Sequence, residues 1–266
     1  RPPYTPFSLG TLAARDVGRH FEPIRRSPMH AWHQAHGAIW VEAGLWLRPS
    51  TYPRAGERLQ DAIVRETLAV RKGVGIVDVS TLGKIEIEGP DAAELLDRVY
   101  VNNWKTLAVD RARYGLMLRE DGMVFDDGTT SRLGEQRYFM TTTTANAAKV
   151  LQHLEFYLQA VWPDLRVHVT SVTEQWAAMA LAGPKSRAVL ERVAAGIDVG
   201  NATLPHMGVR EISIAGVTAR IFRISFSGEL AYEINVPADQ GTAVWEALLA
   251  AGRSEEHTSE LQSRHN

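Results

Sequence analysis

Apolar and polar positions along this chain follow two spacings, one near 3.6 residues and one of two. Between 58 and 72, Leu59, Ile63, Leu68 and Val70 recur at helical spacing, and Gly73 stands where a glycine commonly ends a helix. Runs at 76–80 and 84–88 predict strands, the second alternating Ile85 and Ile87 with Glu86 and Glu88. Upstream of Gly56 the pattern is irregular and interrupted by proline and tryptophan.

The most informative pattern is a repeat. IEIEGPDAAELLDRV at 85–99 parallels MALAGPKSRAVLERV at 179–193, with five apolar positions in register. Each copy reads as a strand, a Gly-Pro break and a helix, proline being tolerated just inside a helix start because its missing N–H has no helical partner there. Strands near 112–118, 124–131 and 138–143, a helix over 145–161 and a strand near 166–171 follow the first copy. Strands near 211–214, 218–224 and 231–236 and a helix over 238–252 follow the second, with no further strand. The expected fold class is therefore α+β, with two related split β-α-β lobes of mostly antiparallel sheet, the second lacking its last strand.

Composition narrows the class. With 266 residues, 45% hydrophobic and 23% charged, the chain can bury a sizeable core. A net charge of -2 lacks the basic footprint of a general nucleic-acid or membrane-surface binder. No apolar run approaches the roughly 18 residues that span a bilayer, and a cytoplasmic protein is expected. The absence of cysteine excludes a disulfide framework, a thiolate metal site and a cysteine nucleophile within these residues. Residues 1–27, with proline-dense RPPYTP at the start, read as a linker from an upstream domain, and 28–252 as the folded domain. Residues 253–266 resemble translated sequencing adapter and are set aside as an artefact tail.

Candidate chemistry lies at several positions. His30, His33 and His36 share a helical face at steps of three, but without a carboxylate at ligand spacing they are expected to pack and hydrogen-bond beside Trp32, Trp40 and Trp46; no metal site is expected. Gly73-Val74-Gly75 precedes a strand, the reverse of a dinucleotide fingerprint, which opens a helix after one. Asp126 and Asp127, adjacent on a strand, point to opposite faces, so one can enter a pocket while the other meets solvent. Pattern alone favours a polar hairpin tip for this pair, because Asp121-Gly122 is a turn signal. Glu233, between Tyr232 and Ile234, reads either as a solvated carboxylate or as a buried one awaiting a donor-bearing ligand. The sequon at Asn201 carries no weight without a secretory signal.

Taken in order, His36-Gly37, Gly44 and Trp46, the DVS at 78–80, the GPD at 89–91, Tyr114, the VFDD at 124–127 and the RISFSGE at 223–229 followed by Tyr232-Glu233 form a recognisable series. It resembles the tetrahydrofolate-binding aminomethyltransferase family, which includes the glycine-cleavage T-protein and the folate domains of dimethylglycine dehydrogenase and sarcosine oxidase. RRSPMHAWH at 25–33, STLGK at 80–84, RYGLML at 113–118 and the threonine run at 141–144 are most similar to the sarcosine oxidase branch.

The resemblance covers nearly all of 1–252 and implies a fold cut before the family's C-terminal barrel. It implies that Asp127 is the catalytic aspartate near the folate's reactive nitrogens and that Glu233 pairs with the pterin ring. Tyr114, Leu82 and Phe226 fall on pocket-wall positions, and Thr143 stands where glycine-cleavage proteins have Asn. Leu82 and Phe226 likewise replace their usual Met and Tyr. The same branch implies tetrahydrofolate as cofactor, FAD, FMN and NAD held mainly outside these residues, and other subunits of a hetero-oligomer as partners. Two alternatives stay open: a glycine-cleavage aminomethyltransferase working with a lipoyl carrier protein, and a non-enzymatic folate-dependent iron–sulfur repair protein, whose Lys-Gly-Cys motif this cysteine-free chain lacks.

Overall fold

The repeat becomes two five-stranded antiparallel sheets in the computed structural model, which describes residues 8–13 and 24–253. The N-terminal region holds α1 (Leu9–Leu12), β1 (Arg25–Arg26), α2 (His30–Ala35), the hairpin β2 (Ile39–Ala43) and β3 (Trp46–Thr51), then α3 (Leu59–Lys72) and β4 (Gly75–Asp78). The first lobe comprises β5 (Gly83–Glu88), α4 (Ala92–Val99), β6 (Arg111–Leu118), β7 (Val124–Gly134), β8 (Arg137–Thr142), α5 (Ala147–Phe156) and β9 (His168–Ser171). The second repeats the order with β10 (Trp176–Ala182), α6 (Ser186–Val193), β11 (Val209–Ile214), β12 (Val217–Phe222), β13 (Ala231–Pro237) and α7 (Gly241–Arg253).

Sheet order is β6-β7-β8-β5-β9 in the first lobe and β11-β12-β13-β10-β4 in the second. The expectation that the second lobe lacks its last strand is corrected: β4, from upstream of the first repeat, takes the place beside β10 that β9 takes beside β5. The two Gly-Pro breaks explain how both outer strands approach so closely. Gly89 (φ +141) and Gly183 (φ +125) adopt backbone that L residues rarely reach. A Cβ on Gly89 would lie 2.1 Å from the Arg166 carbonyl oxygen, just before β9. One on Gly183 would lie 2.4 Å from the Gly73 carbonyl oxygen, just before β4.

Each lobe buries its own core. Leu95, Leu96 and Val99 of α4 pack with Ile85, Ile87 and Met140, while Val189 and Leu190 of α6 pack with Leu181, Ile221 and Ile234. Val244, Trp245 and Leu248 of α7 close the second core, together with Met29 and Val74 from the N-terminal region. Between the sheets lies a smaller cluster of Ala112, Phe139, Val172, Val209 and Phe222. Arg220 of β12 spans this seam, its guanidinium 5.0 Å from the Phe139 ring centre and 3.6 Å from Glu86 of β5.

Other expectations shift locally. The stretch before Gly56 is ordered as α2 and a hairpin, its signal hidden because Ile39 and Val41 face outward. The segment expected as a linker contributes β1, parallel to β3, and a buried Ser27; residues 1–7 and 14–23 lie outside the described residues. Arg253 ends α7, and the rest of the tail also lies outside them. The helix expected over 145–161 is α5 followed by a π-turn at Tyr157–Val161. The turn signal at Asp121-Gly122 is real, Gly122 having φ +81, but Asp126 and Asp127 sit within β7, past the hairpin tip.

Candidate functional site

The pleat of β7 splits the acid pair as strand geometry requires. Asp126 turns inward and is buried, accepting from the Thr143 N–H (3.1 Å), Thr143 Oγ1 (2.6 Å) and Asn146 Nδ2 (3.3 Å). Burial pushes its carboxyl above the ordinary range, against those donors and with the nearby Asp127 charge adding to the rise. Asp127 turns the other way and stays half-buried, and its Oδ2 accepts the Tyr114 phenol at 2.8 Å. Tyr114 stands diagonally across the β6–β7 ladder, opposite Thr129, within reach of a long side chain.

Thr143 continues from β8 directly beside the loop before β5. Gly83 pairs with Thr142, and the hydroxyls of Thr81 and Thr144 meet at 3.1 Å. Leu82 is thereby set next to Thr143, half-buried. The loop is held from beneath by Lys84, whose side chain is fully buried. Its Nζ donates to the carbonyl oxygens of Leu82 (2.9 Å), Ser80 (3.1 Å) and Val79 (3.5 Å). Burial lowers the Lys84 ammonium to about 8, with the Glu233 and Asp78 carboxylates opposing that shift.

Glu233 enters from the second lobe on β13, opposite Ala180 and Phe222. It is half-buried; desolvation raises its carboxyl, and Lys84 and a 3.3 Å hydrogen bond from Asn235 Nδ2 offset part of the rise. Asn235 Oδ1 is buried without a partner, a vacant acceptor beside a carboxylate with lone pairs to spare. That pair can accept from a group carrying several N–H donors.

A second polar network meets the same loop. Asp78 is buried and accepts from Ser27 Oγ (2.6 Å), His33 Nε2 (3.0 Å) and the Ser80 N–H (2.9 Å). Against desolvation, which alone would raise it, these bonds hold its carboxyl below the ordinary value. The tautomer that donates from Nε2 leaves His33 Nδ1 to accept the Tyr52 hydroxyl at 2.6 Å. His30 stacks on Trp40 and His36 on Trp32, so these histidines pack and hydrogen-bond as the sequence implied. No group of three or more His, Cys, Asp or Glu able to hold a metal ion occurs among the described residues.

The structure thus joins Asp127 with Tyr114 and Asp126 with Thr143, sets Leu82 and Thr143 one residue past the Gly83–Thr142 pair, and joins Glu233 to Asn235. It does not bring Phe226 to them: that ring stands fully exposed in the loop between β12 and β13. Sequence reasoning missed Lys84, Asp78 and Asn235. Lys84 alternates in phase with Glu86, so nothing in the pattern marks it as buried. A cavity of about 200 Å³ lies elsewhere, among Trp32, Tyr52, Val70, Ile76, Trp245 and Leu249, and includes none of the predicted site residues. Gly73 caps α3 and Gly75 opens β4, helix before strand, so these residues do not fit a dinucleotide cradle.

Each lobe is an antiparallel sheet with its own helices and core, and residues 29–260 match the family described as the GCVT N-terminal domain, to which this chain belongs. The particular relatives are the sarcosine oxidase alpha subunits of Rhizobium meliloti and Corynebacterium sp. strain U-96, 55% and 51% identical over 95% of the chain. An aminomethyltransferase of Thermus thermophilus is 34% identical over 86% of it. The chain spans 26% of the length of those alpha subunits and 61% of that aminomethyltransferase. Among solved structures, the glycine cleavage system aminomethyltransferase T of Bartonella henselae superposes with a TM-score of 0.73 at 28% identity, over 86% of this chain and 58% of that one. A chain of the heterotetrameric sarcosine oxidase from Corynebacterium sp. U-96 shares the fold, with a TM-score of 0.55 at 15% identity, over 91% of this chain and 98% of that one. No described helix is long and apolar enough to cross a membrane.

Proposed function

We propose that residues 28–252 form the tetrahydrofolate-binding part of a sarcosine oxidase alpha subunit in a cytoplasmic hetero-oligomer. The observation that carries this reading is identity of 50–55% over 95% of the chain with alpha subunits, against 30–34% with aminomethyltransferases. The complete enzyme would oxidise sarcosine to the imine of glycine at a flavin, with FAD, FMN and NAD held mainly outside these residues and peroxide released on flavin reoxidation.

Folate supplies the two nucleophilic amines that take up the one-carbon unit, yielding methylene-tetrahydrofolate and glycine. Glu233 and Asn235 would accept the N–H groups of the pterin edge and fix its orientation. Leu82 and Tyr114 would wall the flat ring, and Thr143 would shape the floor by fixing Asp126. Asp127, half-buried and bonded to one phenol, has oxygens left to take a proton from a folate amine and pass it towards the departing glycine nitrogen. Asp126, its oxygens already engaged by Thr143 and Asn146, anchors the strand instead. Phe226 joins the wall only if its loop folds inward over the ligand.

Asp127→Asn in the complete enzyme tests this assignment. Sarcosine-dependent peroxide formation should stay within about twofold, while methylene-tetrahydrofolate formation should fall by roughly 10²-fold, with formaldehyde released by imine hydrolysis. Equal loss of both activities, or retention of both, overturns it. The 0.73 TM-score to a glycine-cleavage enzyme favours a second reading, an aminomethyltransferase served by a lipoyl carrier protein. Turnover with an aminomethylated lipoyl carrier and none with sarcosine would decide for that alternative.

A further inference from the structure

The cavity of about 200 Å³ lies where α2, α3, β4 and α7 meet, and the proposed function leaves it unused. A void of about 150 Å³ already admits a six-carbon ring, so its size fits a small organic molecule. Trp32, Tyr52 and Trp245 supply aromatic walls, and Val70, Ile76 and Leu249 aliphatic ones. Trp32 and Trp245 meet with ring centres 5.4 Å apart at a steep 66°, which makes a corner and not a stack. Tyr52 is fixed by its hydroxyl, which donates to His33 Nδ1 at 2.6 Å, while His33 Nε2 is held by Asp78 at 3.0 Å. The Thr67 hydroxyl, also at the cavity, donates to the Ile63 carbonyl oxygen at 2.8 Å. Both hydroxyls therefore offer a guest lone pairs and no proton. Glu66 completes the polar lining: its Oε1 accepts the Tyr52 N–H at 2.8 Å, and its Oε2 has no hydrogen bond among the described residues. Arg65 spends its short bonds on Glu57, at 2.9 and 3.0 Å, and stands 3.6 Å from Glu66, which thus keeps charge to offer the cavity.

We propose that this cavity binds a small methylated ammonium ion. Aromatic faces attract a cation through their negative quadrupole, an attraction that grows where water is excluded. N-methyl groups give the ion an apolar surface that such walls can cover. Glu66 supplies the opposite charge, and the Tyr52 and Thr67 oxygens can accept an N–H that methylation leaves in place. A neutral molecule of the same shape gains only the apolar contact, and a carboxylate beside the ammonium would meet repulsion from Glu66. The guest is therefore a plain cation and not an amino acid. This cavity includes none of the predicted folate-site residues, so the inference stands independently of the folate reading.

The probe is trimethylammonium chloride, titrated into the 266-residue chain at constant chloride concentration and followed by ¹⁵N-indole NMR, with the Trp32 and Trp245 signals assigned through backbone correlations. Both signals should move saturably, with an affinity about tenfold tighter than that of tert-butanol, a neutral molecule of the same shape. Sarcosine, which carries a carboxylate, should bind more weakly than trimethylammonium. Glu66→Gln, which keeps an oxygen for the Tyr52 N–H, should weaken trimethylammonium about tenfold and leave tert-butanol unchanged. Trp32→Leu should abolish the preference for the cation; should that variant fail to fold, Glu66→Gln decides alone. Equal affinity for tert-butanol would mean an apolar void, and indole signals that do not move would mean no site; either overturns the proposal. Sarcosine binding as tightly as trimethylammonium, or Glu66→Gln binding it as tightly as the parent chain, overturns it too.

Discussion

The two lobes share an architecture yet are completed differently. The first draws all five strands from one continuous stretch, β5 to β9; the second borrows β4 from upstream of both repeats and Met29 from the start of α2. Their chemistry differs as well. The first carries the adjacent carboxylates of β7, one buried and one facing out, while the second carries a single carboxylate on β13 beside a vacant amide oxygen. Duplication thus supplies two frames of the same shape that carry different polar side chains. The difference also ties the N-terminal region to the second lobe, so that Asp78 and His33 act on a loop that leads into the first.

The largest effects should test whether the two frames are equivalent. Leu96→Ala and Leu190→Ala remove matching, fully buried side chains and should each cost roughly 3 to 5 kcal/mol in urea unfolding. A twofold disparity would show that one core relaxes where the other cannot. Next come the paired glycines. Gly89→Ala and Gly183→Ala should each cost roughly 2 to 4 kcal/mol, because φ is positive and a carbonyl oxygen stands in the way. Hydrogen exchange should separate them: the first should loosen β9, the second β4 and the end of α3.

Lys84 sharpens the comparison from the seam. Its pKa in the folded chain, about 8, lies below the ordinary 10.5, so the unfolded chain binds more protons between those values. Stability should therefore rise with pH across that window, by up to roughly 3 kcal/mol, and Lys84→Met should flatten the rise. The smallest effects contrast Asp78 with Asp126. Asp78 is depressed, so its contribution is present above the unfolded value of 3.8 and is lost as pH falls through its folded one. Asp126 is raised, so its contribution is present below 3.8 and is lost as pH climbs through its folded value. Asp78→Asn should blunt acid unfolding, whereas Asp126→Asn should change stability at pH 7 by less than about 1 kcal/mol, in the stabilising direction. Acid titrations followed by circular dichroism distinguish the two.

Local pattern made much of this legible. Alternation and helical spacing located α3, α4, α6 and most strands, and the Gly-Pro breaks marked the duplication, because each depends on neighbours within a few residues. Strand pleating alone already separated Asp126 from Asp127. The hairpin before Gly56 was hidden because Ile39 and Val41 face outward, and the fifth strand of the second lobe because strand pairing between β4 and β10 spans about a hundred residues without a local signature. Only tertiary structure decided that Lys84, in phase with Glu86 and the exposed Glu88, is fully buried, that Asp78 is met by His33 and Ser27, and that Thr143 binds Asp126 and not its neighbour. A residue's period fixes which way its side chain leaves the backbone. What it meets there, and so whether a charge is solvated, paired or held ready for a ligand, depends on elements distant in sequence that the fold brings to the same seam.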